Sequence, residues 1–134
     1  MNRILWLSKH PPIKAQVDAL RTLYPEVKLM RDSNVFGDVQ DIIDRLKAMS
    51  YVDLVVVAPD SIIRKLTEQD IYPLWAEMQG IHRPKYPNKF WETPGAGGRW
   101  YRFVRFHRVT GITWQLENPI GGNNGRNDIL SDKI

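Results

Sequence analysis

The chain has 134 residues, a formal charge of +4, 43% hydrophobic and 25% charged residues, and no cysteine. That length fits one domain with a real core. The lack of cysteine excludes a disulfide framework and a thiolate metal site, and points to an intracellular protein. His10, His82 and His107 lack metal-ligand spacing, so neither a metal nor another cofactor is expected. No apolar run approaches the roughly 20 residues of a bilayer span and no signal-peptide pattern opens the chain, which implies a cytoplasmic protein without a membrane partner.

The first two-thirds of the chain alternate between strand and helix patterns. Arg3 to Leu7 reads as a buried strand, after which Ile13, Val17, Leu20 and Leu23 recur at helical spacing until Pro25. Val27 to Met30 is a second strand, followed by the turn-rich Arg31-Asp32-Ser33-Asn34. Val39, Ile42, Ile43, Leu46 and Met49 then mark a helix with Gly37 or Asp38 near its N-cap. Asp53 to Ala58 is a third strand, whose core Leu54-Val55-Val56-Val57 is continuously apolar as expected when both faces are covered. Pro59-Asp60-Ser61 opens a short helix, with Asp60 or Ser61 as cap. Ile71 to Met78 fits a strand or a brief helix, and the strand reading centres on Leu74-Trp75-Ala76.

Residues 82–98, with three prolines and the Gly95-Ala96-Gly97-Gly98 run, read as a loop or flap. β-rich residues return from Trp100 to Leu116, with Gly111 as a bulge or turn between two segments added at a sheet edge. The domain spans 1–117, and 118–134 is a polar, glycine-rich tail.

Three strand-to-helix units imply a parallel sheet with helices on both faces. A reversal of winding after the second unit gives the spatial order 2-1-3-4. The ends of strands one and three then flank a switch-point crevice, the usual ligand rim of an open α/β sheet. Ser8, Lys9 and His10 fall there, before the helix that follows Pro11-Pro12, and anionic ligands bind well beside helix N-termini. Ser8 either caps that helix or binds a phosphate oxygen. Lys9 is either a solvated charge or the stabiliser of a phosphoryl-transfer transition state. His10 is either a loop-packing residue or a general acid. Ser33, Asn34, Asp60 and Ser61, in the other two turns, are further contact candidates.

Charge is concentrated late in the chain. From Ile81 to Thr110 seven basic residues face Glu92 alone, a net +6 in a chain whose total is +4, so the remainder sums to −2. Tyr86, Phe90, Trp91, Trp100, Tyr101, Phe103 and Phe106 interleave with them. Such aromatics usually fill a core while the arginines face water, but the same pattern can hold phosphates and stack bases, which makes Arg102 and Arg105 ligand candidates. No Walker, GxSxG, HExxH or CxxC pattern is present.

The opening strand followed by Ser8-Lys9-His10-Pro11 resembles the start of the small CRISPR-associated Rossmann-like proteins of the ring-nuclease type, which bind and linearise cyclic oligoadenylate messengers. The valine-rich third strand and the Ala58-Pro59-Asp60-Ser61 loop are similar in layout. The resemblance implies a Rossmann-like fold and a homodimer clasping cyclic tetra-adenylate. It also implies metal-independent cleavage to a 2′,3′-cyclic phosphate, with Ser8, Lys9 and His10 as the site. Two other readings stand beside it: a non-enzymatic binder of single-stranded nucleic acid using the basic and aromatic segment, and a protein-interaction module using an edge strand.

Overall fold

The computed structural model describes residues 2–34 and 36–112. In chain order the elements are β1 (Arg3–Leu7), α1 (Lys14–Leu23), β2 (Lys28–Asp32), α2 (Val39–Ala48), β3 (Asp53–Val56), α3 (Asp60–Glu68), β4 (Leu74–Ile81), β5 (Glu92–Pro94) and β6 (Trp100–Arg108), with a 3-10 turn at Ala96–Gly98. They form one mixed sheet in the order β2-β1-β3-β4-β6-β5. The pairs among β2, β1, β3 and β4 are parallel, and β6 runs antiparallel to both β4 and β5. The parallel part therefore has the expected 2-1-3-4 order. No helix among the described residues is long and apolar enough to cross a membrane.

Strand alternation divides the core into two layers. Leu5 and Leu7 of β1 and Leu54 and Val56 of β3 pack with Ile42, Ile43 and Leu66 from α2 and α3. Ile4, Trp6 and Val55 point the other way and pack with Leu20 of α1, Val27 and Leu74. Helices thus cover both faces of the parallel strands, and each fully buried aliphatic side chain contributes about 1.5–3 kcal/mol.

Helix ends follow local chemistry. The Asp38 carboxylate accepts the Asp41 amide and caps α2. α2 and α3 close in Schellman fashion, with Tyr51 N–H donating to Leu46 O and Ile71 N–H to Leu66 O; Ser50 and Asp70 take the left-handed turn at φ 51° and 61°. At α3 the expectation needs correcting: neither Asp60 nor Ser61 caps the helix. Pro59, fixed at φ −59°, is the N-cap residue. Its carbonyl accepts from Ile62 and Ile63, so Asp60 already lies in the first turn, where its charge complements the helix dipole.

The last third is more regular than its composition suggests. Residues 82–98, read as a loop, contain β5 and the 3-10 turn. Pro94, which has no N–H to donate, is accommodated because β5 is the edge strand. Gly111 was expected as a bulge or a turn; a bulge is found earlier, where the β4–β6 register breaks at Glu77/Met78, which pair with Arg105 and Phe103 and leave Val104 unpaired. Gly111 lies beyond β6. The expected second β segment, from 113 to Leu116, and the 118–134 tail lie outside the described residues.

Candidate functional site

Leu7 and Val56 are paired at the ends of β1 and β3, and Leu7 and Asp32 at the ends of β1 and β2. Three loops therefore leave the sheet side by side where the strand order reverses. The turn after β1 is held by backbone and buried groups. The Trp6 indole N–H donates to the His10 carbonyl at 2.8 Å, and the His10 amide donates to Ser8 Oγ at 3.2 Å. Arg31 donates to the Lys9 carbonyl at 2.7 Å, tying the first loop to the second strand. Ser8 is buried, whereas Lys9 and His10 are exposed. Among the described residues the Lys9 ammonium and His10 imidazole make no hydrogen bond or ion pair. Both face solvent on a fixed backbone.

The second loop is fixed by Arg45 of α2. This guanidinium donates to Asp32 Oδ2 at 3.2 Å and to the Asn34 carbonyl at 3.0 Å, while also holding both carboxylate oxygens of Asp41. Arg45, helped by the Gly37 amide, holds the Asp41 carboxyl below its ordinary range. Asp32 Oδ1 accepts the Asn34 amide, closing an Asx turn.

The two loops enclose a cleft of about 280 Å³ lined by Ser8, Lys9, His10, Asp32, Ser33 and Asn34, with Leu7, Phe36 and Val57 as its apolar floor. Five of the residues singled out from sequence therefore meet. Asp32 was not among them, although an acidic residue ending the second strand of an open α/β sheet is a known partner for ribose hydroxyls. Asp60 and Ser61 do not line this cleft; the third loop contributes Val57, and the two polar residues are exposed at the start of α3.

The expectation of a free helix N-terminus at this rim needs correcting. The Ala15 amide in the first turn of α1 donates to the Phe90 carbonyl at 3.0 Å, and the Gln16 and Val17 amides donate to Ile13 O. The Ile13 amide is taken by Gln16 Oε1 at 2.9 Å. Ser8 spends its oxygen on the turn and caps no helix. The cationic side chains of this cleft are Lys9 and, when protonated, His10, and its hydroxyls are those of Ser8 and Ser33.

A second cleft of about 440 Å³ opens on the α1 side of the same turn, and Ser8, His10 and Val57 line both. Its lining includes Trp6, Ile13 and Gln16, with Met78, Tyr101 and the 93–96 segment. The 8–10 turn is a ridge between the two clefts.

Arg102 and Arg105 line neither cleft. Both are exposed on β6, where Arg102 lies 5.8 Å from the centre of the Trp91 ring and Arg105 is 3.9 Å from the Glu77 carboxylate. Trp91 stacks on Phe103, Phe103 packs on Phe106, and Phe106 meets Trp6 edge to face. These aromatics are occupied in packing. Comparison with models of known families, with curated proteins and with solved structures returns no match.

Proposed function

We propose that this chain is a Rossmann-like, metal-independent ring nuclease that binds cyclic oligoadenylate, with cyclic tetra-adenylate as its ligand, and opens it by transesterification. The observation that supports this reading best is the rigid Ser8-Lys9-His10 ridge at the strand-order reversal, with an unpaired ammonium and imidazole facing a cleft that also holds Asp32, Ser33 and Asn34. In the proposed reaction a ribose 2′-oxygen attacks the adjacent 3′ phosphorus and loses its proton, and the P–O5′ bond breaks. A 2′,3′-cyclic phosphate forms and the departing O5′ takes up a proton. His10 supplies that proton, Lys9 stabilises the added charge on the phosphoryl oxygens, and Ser8 and Ser33 position the phosphate. Asp32 accepts from a ribose hydroxyl. A symmetric ring suits two symmetry-related copies of the ridge, so the ligand-bound form is a homodimer in this proposal.

The test is incubation of the purified protein with labelled cyclic tetra-adenylate in EDTA, followed by separation of products. Linear products ending in 2′,3′-cyclic phosphate are expected, and His10→Ala should retain binding while losing turnover by about 10²–10⁴-fold, the usual contribution of a general acid. An intact ring with no measurable binding refutes the proposal. The single-stranded nucleic-acid alternative draws less support, because Trp91 stacks on Phe103 and Phe103 on Phe106, so these rings are engaged in packing within the fold.

A further inference from the structure

Gln16 is a buried polar group beside the ridge whose amide nitrogen has only a weak partner. It is 93% buried, with 7% of its surface exposed, and it lines the second cleft. Its orientation follows from a single bond: the Ile13 amide can only donate, so Oε1 must face it, and that contact is 2.9 Å. The amide nitrogen is thereby turned toward Met78, whose Sδ at 3.6 Å is its partner. A thioether is a weak acceptor. A buried carboxamide donor thus lacks a strong acceptor in a cleft that is otherwise mostly apolar.

Gly95 and Tyr101, which also line the cleft, are fitted closely together. A Cβ at Gly95 would lie 2.5 Å from Cε2 of the Tyr101 ring, so Gly95 is a close-approach position and the aromatic ring lies tightly against it. The glycine run thus supports an aromatic wall. The cleft's volume of about 440 Å³ lies within the range of small-molecule sites, and it is continuous with the ridge through Ser8 and His10.

We infer that this cleft is a nucleobase subsite: the planar adenine of a bound nucleotide lies between the Ile13 and Tyr101 walls and accepts a hydrogen bond from Gln16 Nε2 through a ring nitrogen. The inference rests on the reading of the ridge as the phosphate-holding element. It assigns the two clefts separate duties, with ribose and phosphate on the side of Lys9, Asp32 and Ser33 and the base on the α1 side. It also names a specificity-determining residue, because a buried donor rejects ligands that cannot accept from it.

Gln16→Glu tests this directly. A carboxylate keeps the acceptor for the Ile13 amide, as a capping box allows, but carries no donor. Ala96→Trp, at an exposed rim position, obstructs the cleft without touching the ridge. Calorimetric titrations with cyclic tetra-adenylate and with ribose 5-phosphate are made on the full chain and both variants, with thermal melts as a check on folding. Each folded variant should lose about tenfold in affinity for cyclic tetra-adenylate and none for ribose 5-phosphate. Wild-type affinity for the cyclic ligand in both variants overturns the base subsite while leaving the ring-nuclease reading intact, as does an equal loss for both probes. Wild-type protein that binds neither probe overturns both.

Discussion

Asp53, on the α1 side of β3 at the end of the sheet remote from the ridge, gathers three elements. Its carboxylate accepts two bonds from Arg108 of β6, at 2.6 and 2.7 Å, and one from the Tyr24 hydroxyl at the end of α1, at 2.8 Å. Arg108 also donates to the Tyr72 carbonyl. Because the Asp53 side chain is only 4% exposed, removing its partner leaves an uncompensated charge. Breaking a fully buried pair costs about 3–5 kcal/mol, and the 40% exposure of Arg108 lowers the expectation for Arg108→Ala to about 2–3 kcal/mol, measured by urea unfolding. Tyr24 makes the same cluster sensitive to alkali. Burial, with the Asp53 carboxylate adding to it, raises the phenol above its ordinary 10.0. The unfolded chain therefore ionises first. This contribution to stability is complete below pH 10.0 and is lost as pH rises through the higher folded value. Tyr24→Phe should remove that alkaline slope, seen as unfolding midpoints that converge less steeply above that pH.

At the scale of elements, β6 explains how a basic, aromatic segment becomes core. Phe103 and Phe106 are an odd number of residues apart, so strict alternation would send one of them into water. The unpaired Val104 absorbs the extra residue, and both rings turn to the α1 side, where Phe103 is buried and Phe106 meets Trp6. Deleting Val104 should therefore leave a regular ladder and an almost unchanged melting temperature. Deleting His107, inside the paired stretch, moves Arg108 off Asp53 and should abolish cooperative unfolding. Comparable melts for the two deletions would rule out this account of the bulge. The bulge was not legible in sequence, because its position depends on which face α1 and the Phe90–Trp91 turn cover, and neither is encoded within β6.

For the whole molecule, the positive excess and the candidate site belong to different places. Arg102 and Arg105 are exposed on the antiparallel extension, and exposed charges are weakened by salt. Arg102→Ala/Arg105→Ala should leave affinity for cyclic tetra-adenylate and its salt dependence unchanged in titrations at low and moderate ionic strength. A flattened salt slope would instead locate the binding surface on β6. Much of the parallel sheet could be read from residues alone. Continuous apolar runs at Ile4–Leu7 and Leu54–Val57, and helical spacing at Ile42, Ile43 and Leu46, are local patterns that translate directly into buried strands and amphipathic helices. The Ser8-Lys9-His10 turn was legible because a strand that stops before Pro11-Pro12 must present its next residues at the rim. Only the tertiary structure decided that Asp32 rather than Asp60 joins that turn, that Phe90 occupies the α1 N-terminus, and that Gly95 and Gln16 shape a second cleft. Those outcomes depend on contacts between distant segments. Periodicity reports which face of an element is buried, and it carries no record of what will be packed against it.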